Sequence, residues 1–330
     1  MDIRVQSKLD TFADYTMQLG KVMKWDYKLS HMLCSMLYTN EERLLDVNRI
    51  REMKDYIKKN TSIFSNFKGS TLPIIATILS LDENPERLFE KTQILYEKMK
   101  QQGFHSSEYL TIAAIQVAKT KTEAEYDDVI KRMREFYDGL RKVHPFLTSK
   151  DDYIYVAMLG MTDIDVSSAI KRIVTIEGRL KPTLGGGNAM QALALVLLLA
   201  DNDEEELCKK VLELYTYLKE KNYKLRYNGT MSTLGVLAMT SSSMQVIAEE
   251  LVNGAEYLKE KKGFGIFSIN KVQRAMFSAN FVALQYVGDM KNNLLEGTVS
   301  TNITNIIIAQ QMAAIVATMA ATTAAAKSAN

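Results

Sequence analysis

Cysteine is scarce in this chain. Cys34 and Cys208 are the only two among 330 residues, far apart and without neighbours at metal-ligand spacing. A disulfide framework and a cysteine-based zinc site are both excluded as organising devices, and two reduced, buried thiols are the expectation. Proline is scarcer still in relative terms, with four residues. Long stretches rich in Leu, Met, Lys, Glu and Ala run without a breaker, which favours helix throughout. Histidine occurs three times, as His31, His105 and His144. None has a second ligand at helical spacing on its own face, so no metal site is expected. Each is read as a surface or boundary residue. Charge of one sign is not in excess: 41 Lys and Arg face 39 Asp and Glu. A bulk attraction to nucleic acid is therefore not expected. The opening Met1–Asp10 is polar and mixed in charge, unlike a secretory leader. The expected compartment is the cytoplasm.

What the chain does have is a repeat. Five segments share an apolar template spaced four, three, four: Leu88, Thr92, Leu95, Met99; Val129, Met133, Phe136, Leu140; Ala169, Ile173, Ile176, Leu180; Leu207, Val211, Leu214, Leu218; and Ile247, Leu251, Gly254, Leu258. This spacing is one face of an α-helix. The closing residues lie 41, 40, 38 and 40 residues apart, a period that fits a two-helix unit. A second template precedes each one. Its small residue is Ala76, Ala113, Ala157, Ala194 or Gly235, with an aliphatic residue just before it and another two places after. Small residues at a fixed site let two helix axes approach closely. The fold class is therefore all-α, built from tandem helical hairpins of about 40 residues. They either stack as an open α-solenoid or close as an α/α toroid.

Punctuation agrees. Ser70, Ser107 and Ser149 stand where N-caps belong. Asp203 can cap the second helix of the fourth unit, and Gly185–Gly187 separates the third unit from the fourth. The apolar run Ala189–Ala200 is too short to span a bilayer and reads as the most buried helix. Residues 1–68 read as an N-terminal helical cap, 69–267 as the five hairpins and 268–295 as degenerate capping helices. Residues 296–330, with no charge between Glu296 and Lys327, read as an Ala/Thr-rich helix or tail. Within it Ala309, Ala313, Ala317, Ala321 and Ala325 make a stripe suited to close packing, on this chain or a second copy. Membrane insertion is the less favoured fate of this segment.

Two resemblances emerge at these residues. "LYEKMKQQGFHSSEYLTIAAI", Leu95–Ile115, resembles a pentatricopeptide unit, a family that reads single-stranded RNA. The later units, "LYTYLKEKNYKL" and "AEYLKEKKGFGI", lack its signature. The second resemblance spans nearly the whole chain. Its length, "LTSKDDYIYVAML", the Gly-rich turn before "NAMQALALVLLLA" and the Ala/Thr-rich tail are similar to a bacterial family called domain of unknown function 4003. That resemblance implies a cytosolic bacterial protein and brings no activity or site residue.

Catalytic patterns are sparse. Acid pairs at Asp127-Asp128, Asp151-Asp152 and Asp201–Glu206 stand at helix starts, where they suit the macrodipole. The Asp-Asp-x-x-Asp pattern of magnesium-diphosphate enzymes fails because Tyr155 takes its last place. No catalytic residue and no cofactor is assigned. One register stands out: a base follows the closing apolar residue of every unit, as Lys100, Arg141, Lys181, Lys219 and Lys259. Helix dipoles favour cations there, and in an array such positions line one edge able to meet an anionic partner. Tyr96, Tyr137 and Tyr215 recur one turn earlier, as stacking groups or as packing. The expected function is a non-enzymatic scaffold with a protein partner. The alternatives are a toroid enzyme or small-ligand binder, and a single-stranded RNA binder. The small-residue sites carry a first test. Ala157→Leu and Ala194→Leu should each cost on the order of 1–3 kcal/mol by overpacking a helix crossing. Denaturant midpoints unchanged in both variants would show the crossings to be misplaced.

Overall fold

The structure is a computed structural model that describes residues 1–23, 27–63, 65–200, 203–226, 230–240, 242–286, 306, 308 and 309. Among these, fourteen α-helices account for the regular structure. Seven are longer on average and amphipathic: α1 (Ile3–Val22), α3 (Val47–Lys59), α5 (Pro85–Gln101), α7 (Tyr126–Val143), α9 (Val166–Leu184), α11 (Glu204–Glu220) and α13 (Met244–Lys259). Each of them exposes one face. Seven others alternate with them and are buried nearly all round: α2 (Lys28–Asn40), α4 (Leu72–Ser80), α6 (Glu108–Thr120), α8 (Tyr153–Gly160), α10 (Asn188–Leu197), α12 (Met231–Ala238) and α14 (Lys271–Gln285). A helix without a polar stripe must lie inside, so the alternation sorts the chain into an outer and an inner layer.

Each hairpin template is buried as its spacing requires. The outer-helix positions from Leu88 to Leu258 are all buried. The small residues are too, and Gly235 shows their purpose. A methyl there would come within 2.9 Å of Leu193 and 3.0 Å of Val196 on α10. Gly254 replaces the apolar third member of its template for a related reason. A Cβ at this site would overlap the Ser278 hydroxyl of α14, which donates to the Leu251 carbonyl at 2.9 Å. Asp203 and Ser107 cap as expected, accepting from Glu206 N at 3.0 Å and Leu110 N at 3.1 Å. Ser70 does not. It lies within a short 3-10 turn, Gly69–Thr71, buried and with its hydroxyl unpaired. His31 is also buried rather than at a boundary, and its Nε2–H donates to the Met23 carbonyl at 2.8 Å.

An open solenoid keeps its first and last units apart; here they touch. In the inner layer α2 packs on α4, α6 on α8, α8 on α10, α10 on α12, α12 on α14, and α14 returns to α2. In the outer layer α5 to α13 contact one another in order, and α13 packs on α1. The chain therefore closes as an α/α ring, and residues 1–68, read as a cap, supply three of its helices. Aromatic rings fill the seam. Phe12 of α1 lies 5.2 Å from Phe264, 4.9 Å from Phe277 and 5.4 Å from Phe281. Asn40 and Asn280 exchange amide hydrogen bonds of 3.2 and 2.9 Å.

A repeated polar stitch sets the register between outer helices. In α5, α7, α9, α11 and α13 the seventh residue is charged and reaches the segment that begins the next outer helix. Lys91 meets Glu123 at 3.9 Å, Arg132 donates to the Ile164 carbonyl at 2.6 Å, Arg172 pairs with Glu204, and Lys210 donates to the Thr240 carbonyl at 3.3 Å. At the fifth site the next helix is α1, where the available groups are donors. The residue there is an acid: Glu250 accepts from Asp2 N at 2.9 and 3.0 Å and faces the terminal ammonium at 3.4 Å.

The described part of the tail, Ile306, Ile308 and Ala309, is helical and buried in the common core. The other four alanines of the stripe lie outside the described residues. The seam carries a test. Glu250→Lys places a cation against the terminal ammonium and leaves an amide unpaired, and should cost about 1–3 kcal/mol. A urea midpoint equal to that of the wild type would show that the stitch does not hold the ring closed.

Candidate functional site

The described connections from an outer helix to the following inner helix leave from the C-terminal ends of the outer helices. Neighbouring connections touch there. Lys150 Nζ donates to Ser106 O at 3.3 Å, His105 N to Tyr153 Oη at 3.1 Å, and Lys271 Nζ to Lys221 O at 3.4 Å. Lys100, Arg141, Lys181, Lys219 and Lys259 occupy the last turns of α5, α7, α9, α11 and α13, each exposed or half-exposed. Lys100 pairs with Glu97 at 2.9 Å and Lys259 with Glu256 at 3.6 Å, both within the same helix. Such exposed pairs contribute little energy and are screened by salt. Tyr96, Tyr137 and Tyr215 are buried, so they pack rather than offer stacking faces.

These C-terminal ends and their connections, the basic rim, hold more cations than these five. Lys142 stands beside Arg141 in the last turn of α7, and Lys221, Lys224, Arg226, Lys261 and Lys262 stand on the connections. The opposite connections, which lead from inner to outer helices, carry Glu123, Glu125, Asp163, Asp165 and the Asp203–Glu206 run. The cause is local. Acids favour helix N-termini and bases favour C-termini, and each outer helix starts on one rim and ends on the other. Capping preferences therefore sum to a charge separation across a nearly neutral protein.

Inside the basic rim lies a buried polar junction. Asp152 ends a 3-10 turn, Lys150–Asp152, ahead of α8, and its carboxylate accepts from Ser149 N at 2.9 Å. It is 5% exposed. Burial, with the adjacent Asp151 charge adding to it, lifts its pKa to about 7, against the pull of the Ser149 and Gln191 amides. Tyr155 of α8 bonds Ser232 of α12, and its phenol is raised by burial, with the Asp152 and Asp151 charges adding to that. Tyr109 is raised by burial and by Asp151 and Glu108. Asn188 donates to Asp151 at 3.4 Å.

His144 ties this junction to α9. Its Nε2 lies 2.9 Å from Glu177 Oε2 and its Nδ1 3.1 Å from Gln191 Oε1. Burial raises Glu177, and the neighbouring His144 and Lys181 offset it. The Glu177–His144–Gln191 link was not legible at helical spacing, because its three members come from three elements. Both ring nitrogens are engaged, so this histidine links the end of α7 to α9 and α10. Among the described residues, no three His, Cys, Asp or Glu side chains cluster closely enough to hold a metal ion. None of the described helices is long and apolar enough to cross a membrane.

Among the described residues the class is all-α, fourteen α-helices without a strand. The family described as "Protein of unknown function (DUF4003)" matches residues 15–312, and the chain belongs to that family. It is also similar to the "Uncharacterized protein YeaA" of Bacillus subtilis (strain 168), 24% identical over 319 residues, covering 93% of this chain and 92% of the relative. No solved structure matches the chain.

The junction predicts a pH dependence. The Asp152 carboxyl is ordinary, near 3.8, in the unfolded chain and near 7 in the folded one. Between these values only the folded state holds the proton, so stability falls as pH rises through the window and levels off above it. The total is on the order of a few kcal/mol. Asp152→Asn should flatten that slope and be the more stable protein at about pH 8. Parallel stability profiles for the two proteins between about pH 4 and 7 would disprove the assignment.

Proposed function

We propose that this chain is a non-enzymatic helical-repeat scaffold whose basic rim engages an anionic partner. What supports this reading is that the last turns of α5, α7, α9, α11 and α13 each carry a base, while acids stand in the first turns of α5, α7 and α11. Lys100, Arg141, Lys181, Lys219 and Lys259 are the repeated members of that surface, and the loop cations extend it. A surface of this kind steers and retains a polyanion even at a net charge of +2, because partner and rim meet within a Debye length while the acidic rim stays beyond it.

The alternative of a toroid enzyme or small-ligand binder draws on the Asp152 junction. It is the weaker reading, because Asp152 is almost closed off from solvent and both ring nitrogens of His144 are engaged. The RNA-binding alternative loses its stacking groups, since the three recurrent tyrosines are buried. The reduced, buried state of Cys34 and Cys208 suits the cytoplasm.

Retention on a heparin column tests the rim. The wild type should bind at about 50 mM salt and elute as salt rises. The triple reversal Arg141→Glu, Lys181→Glu, Lys219→Glu should flow through. A wild type that is not retained, or a reversal variant that elutes with it, removes the anionic-partner reading.

A further inference from the structure

Among the described residues, the most exposed aromatic side chains stand on the connections of this same rim. Phe267 is 100% exposed and Phe146 98%, with Ile266 at 65% and Ile63 at 77% beside other connections of the same rim. Large apolar groups thrust singly into water between lysines are an unusual arrangement for a surface that meets only charge.

The loop bearing Phe267 is built to present it. Gly263 takes φ +88°, a left-handed turn open to glycine, and lets the chain leave α13 sharply. Phe264 then plunges into the seam against Phe12 and is fully buried. Ile269 is buried on the far side. Between these two anchors Ser268 N donates to Gly265 O at 2.8 Å, closing a tight turn whose tip is Ile266-Phe267. Arg274, 3% exposed, clamps the base of the turn. Its Nη1 donates to Phe264 O at 3.2 Å and to Ile269 O at 2.7 Å. A buried guanidinium spent on two loop carbonyls fixes the tip in its outward pose. The neighbouring sequence is Lys259, Lys261 and Lys262, with Lys271 following.

We propose that this rim docks on a membrane surface containing anionic lipid, with Ile266-Phe267 inserted among the headgroups and acyl chains and the surrounding lysines against lipid phosphates. This rests on the basic-rim reading above and names its partner. Charge complementarity selects an anionic surface. The apolar tip selects lipid over nucleic acid, because a bilayer offers hydrocarbon beneath its charged layer and a sugar-phosphate backbone does not. The paired features match the two signals, apolar and basic, that stable peripheral binding requires. Phe146, flanked by Arg141, Lys142 and Lys150, is a second contact of the same kind on the same rim.

Co-sedimentation with vesicles tests it, using phosphatidylcholine alone and phosphatidylcholine mixed with phosphatidylglycerol. The wild type should pellet with the mixed vesicles only, and release with salt. The double variant Ile266→Ser, Phe267→Ser should lose about tenfold or more in vesicle affinity while keeping its heparin retention and its thermal unfolding profile. A double variant that binds mixed vesicles as tightly as the wild type overturns the insertion. A wild type that is retained on heparin but binds no vesicles, or shifts a mixed RNA oligonucleotide instead, overturns the membrane and leaves the basic rim standing. A wild type that binds neither heparin nor vesicles overturns both.

Discussion

Glu250 stands where the four equivalent outer helices carry a lysine or arginine. In those helices the partner ahead is a carbonyl or a carboxylate; ahead of α13 it is the start of α1, where amide and ammonium protons point outward. The reversal of sign is what ring closure demands of a repeated stitch. The individual bonds are worth little in water. Their effect is on register, because a helix that slides by one turn loses its charged contact on both sides. Phe12 and its three aromatic neighbours supply the apolar area that holds the seam shut. The rest of the architecture depends on that closure: the sealed inner layer, the common rim, and the separation of charge between the two ends.

The inner layer carries an unusual share of the buried polar groups. Ser35, Thr77, Thr111, Gln191, Thr233, Ser278 and Asn280 are all buried on inner helices. Several return their hydroxyl to the preceding turn, as Ser35 does to His31 O at 2.7 Å and Thr77 to Pro73 O at 2.8 Å. Such bonds satisfy a buried hydroxyl without a tertiary partner. They let short inner helices pack closely while remaining polar enough to differ from a membrane span. The Asp152 junction brings a carboxyl, phenols and an imidazole together, and its hydrogen bonds join the end of α7 to α8, α9 and α10.

The charge of the rims follows from capping rather than from any special motif. Each base at a helix end and each acid at a helix start has an ordinary local reason. Summed over outer helices that all run from one rim to the other, these local reasons produce a surface with a direction. The apolar tips at Phe146 and Phe267 have no such local reason. The Arg274 clamp beneath Phe267 shows that the exposed position is held in place.

The apolar spacing by itself determined the helices, their alternation and which face of each is buried, because burial of a stripe every three or four residues has one solution. It determined the small sites as well, and the scarcity and spacing of cysteine pointed to two buried thiols outside any disulfide. The register of Lys91, Arg132, Arg172, Lys210 and Glu250, three residues after the first apolar member of each template, was present in the sequence yet mute. A charge on an exposed helical face has many acceptable partners until the neighbouring helix is placed. Ring or stack was decided only in three dimensions, since the same hairpin closes or extends according to a small rotation per repeat. The His144–Glu177–Gln191 link and the burial of His31 were likewise tertiary. Their partners come from elements distant in the chain or lie in connections without periodicity, and no spacing rule reaches across a gap that only folding closes.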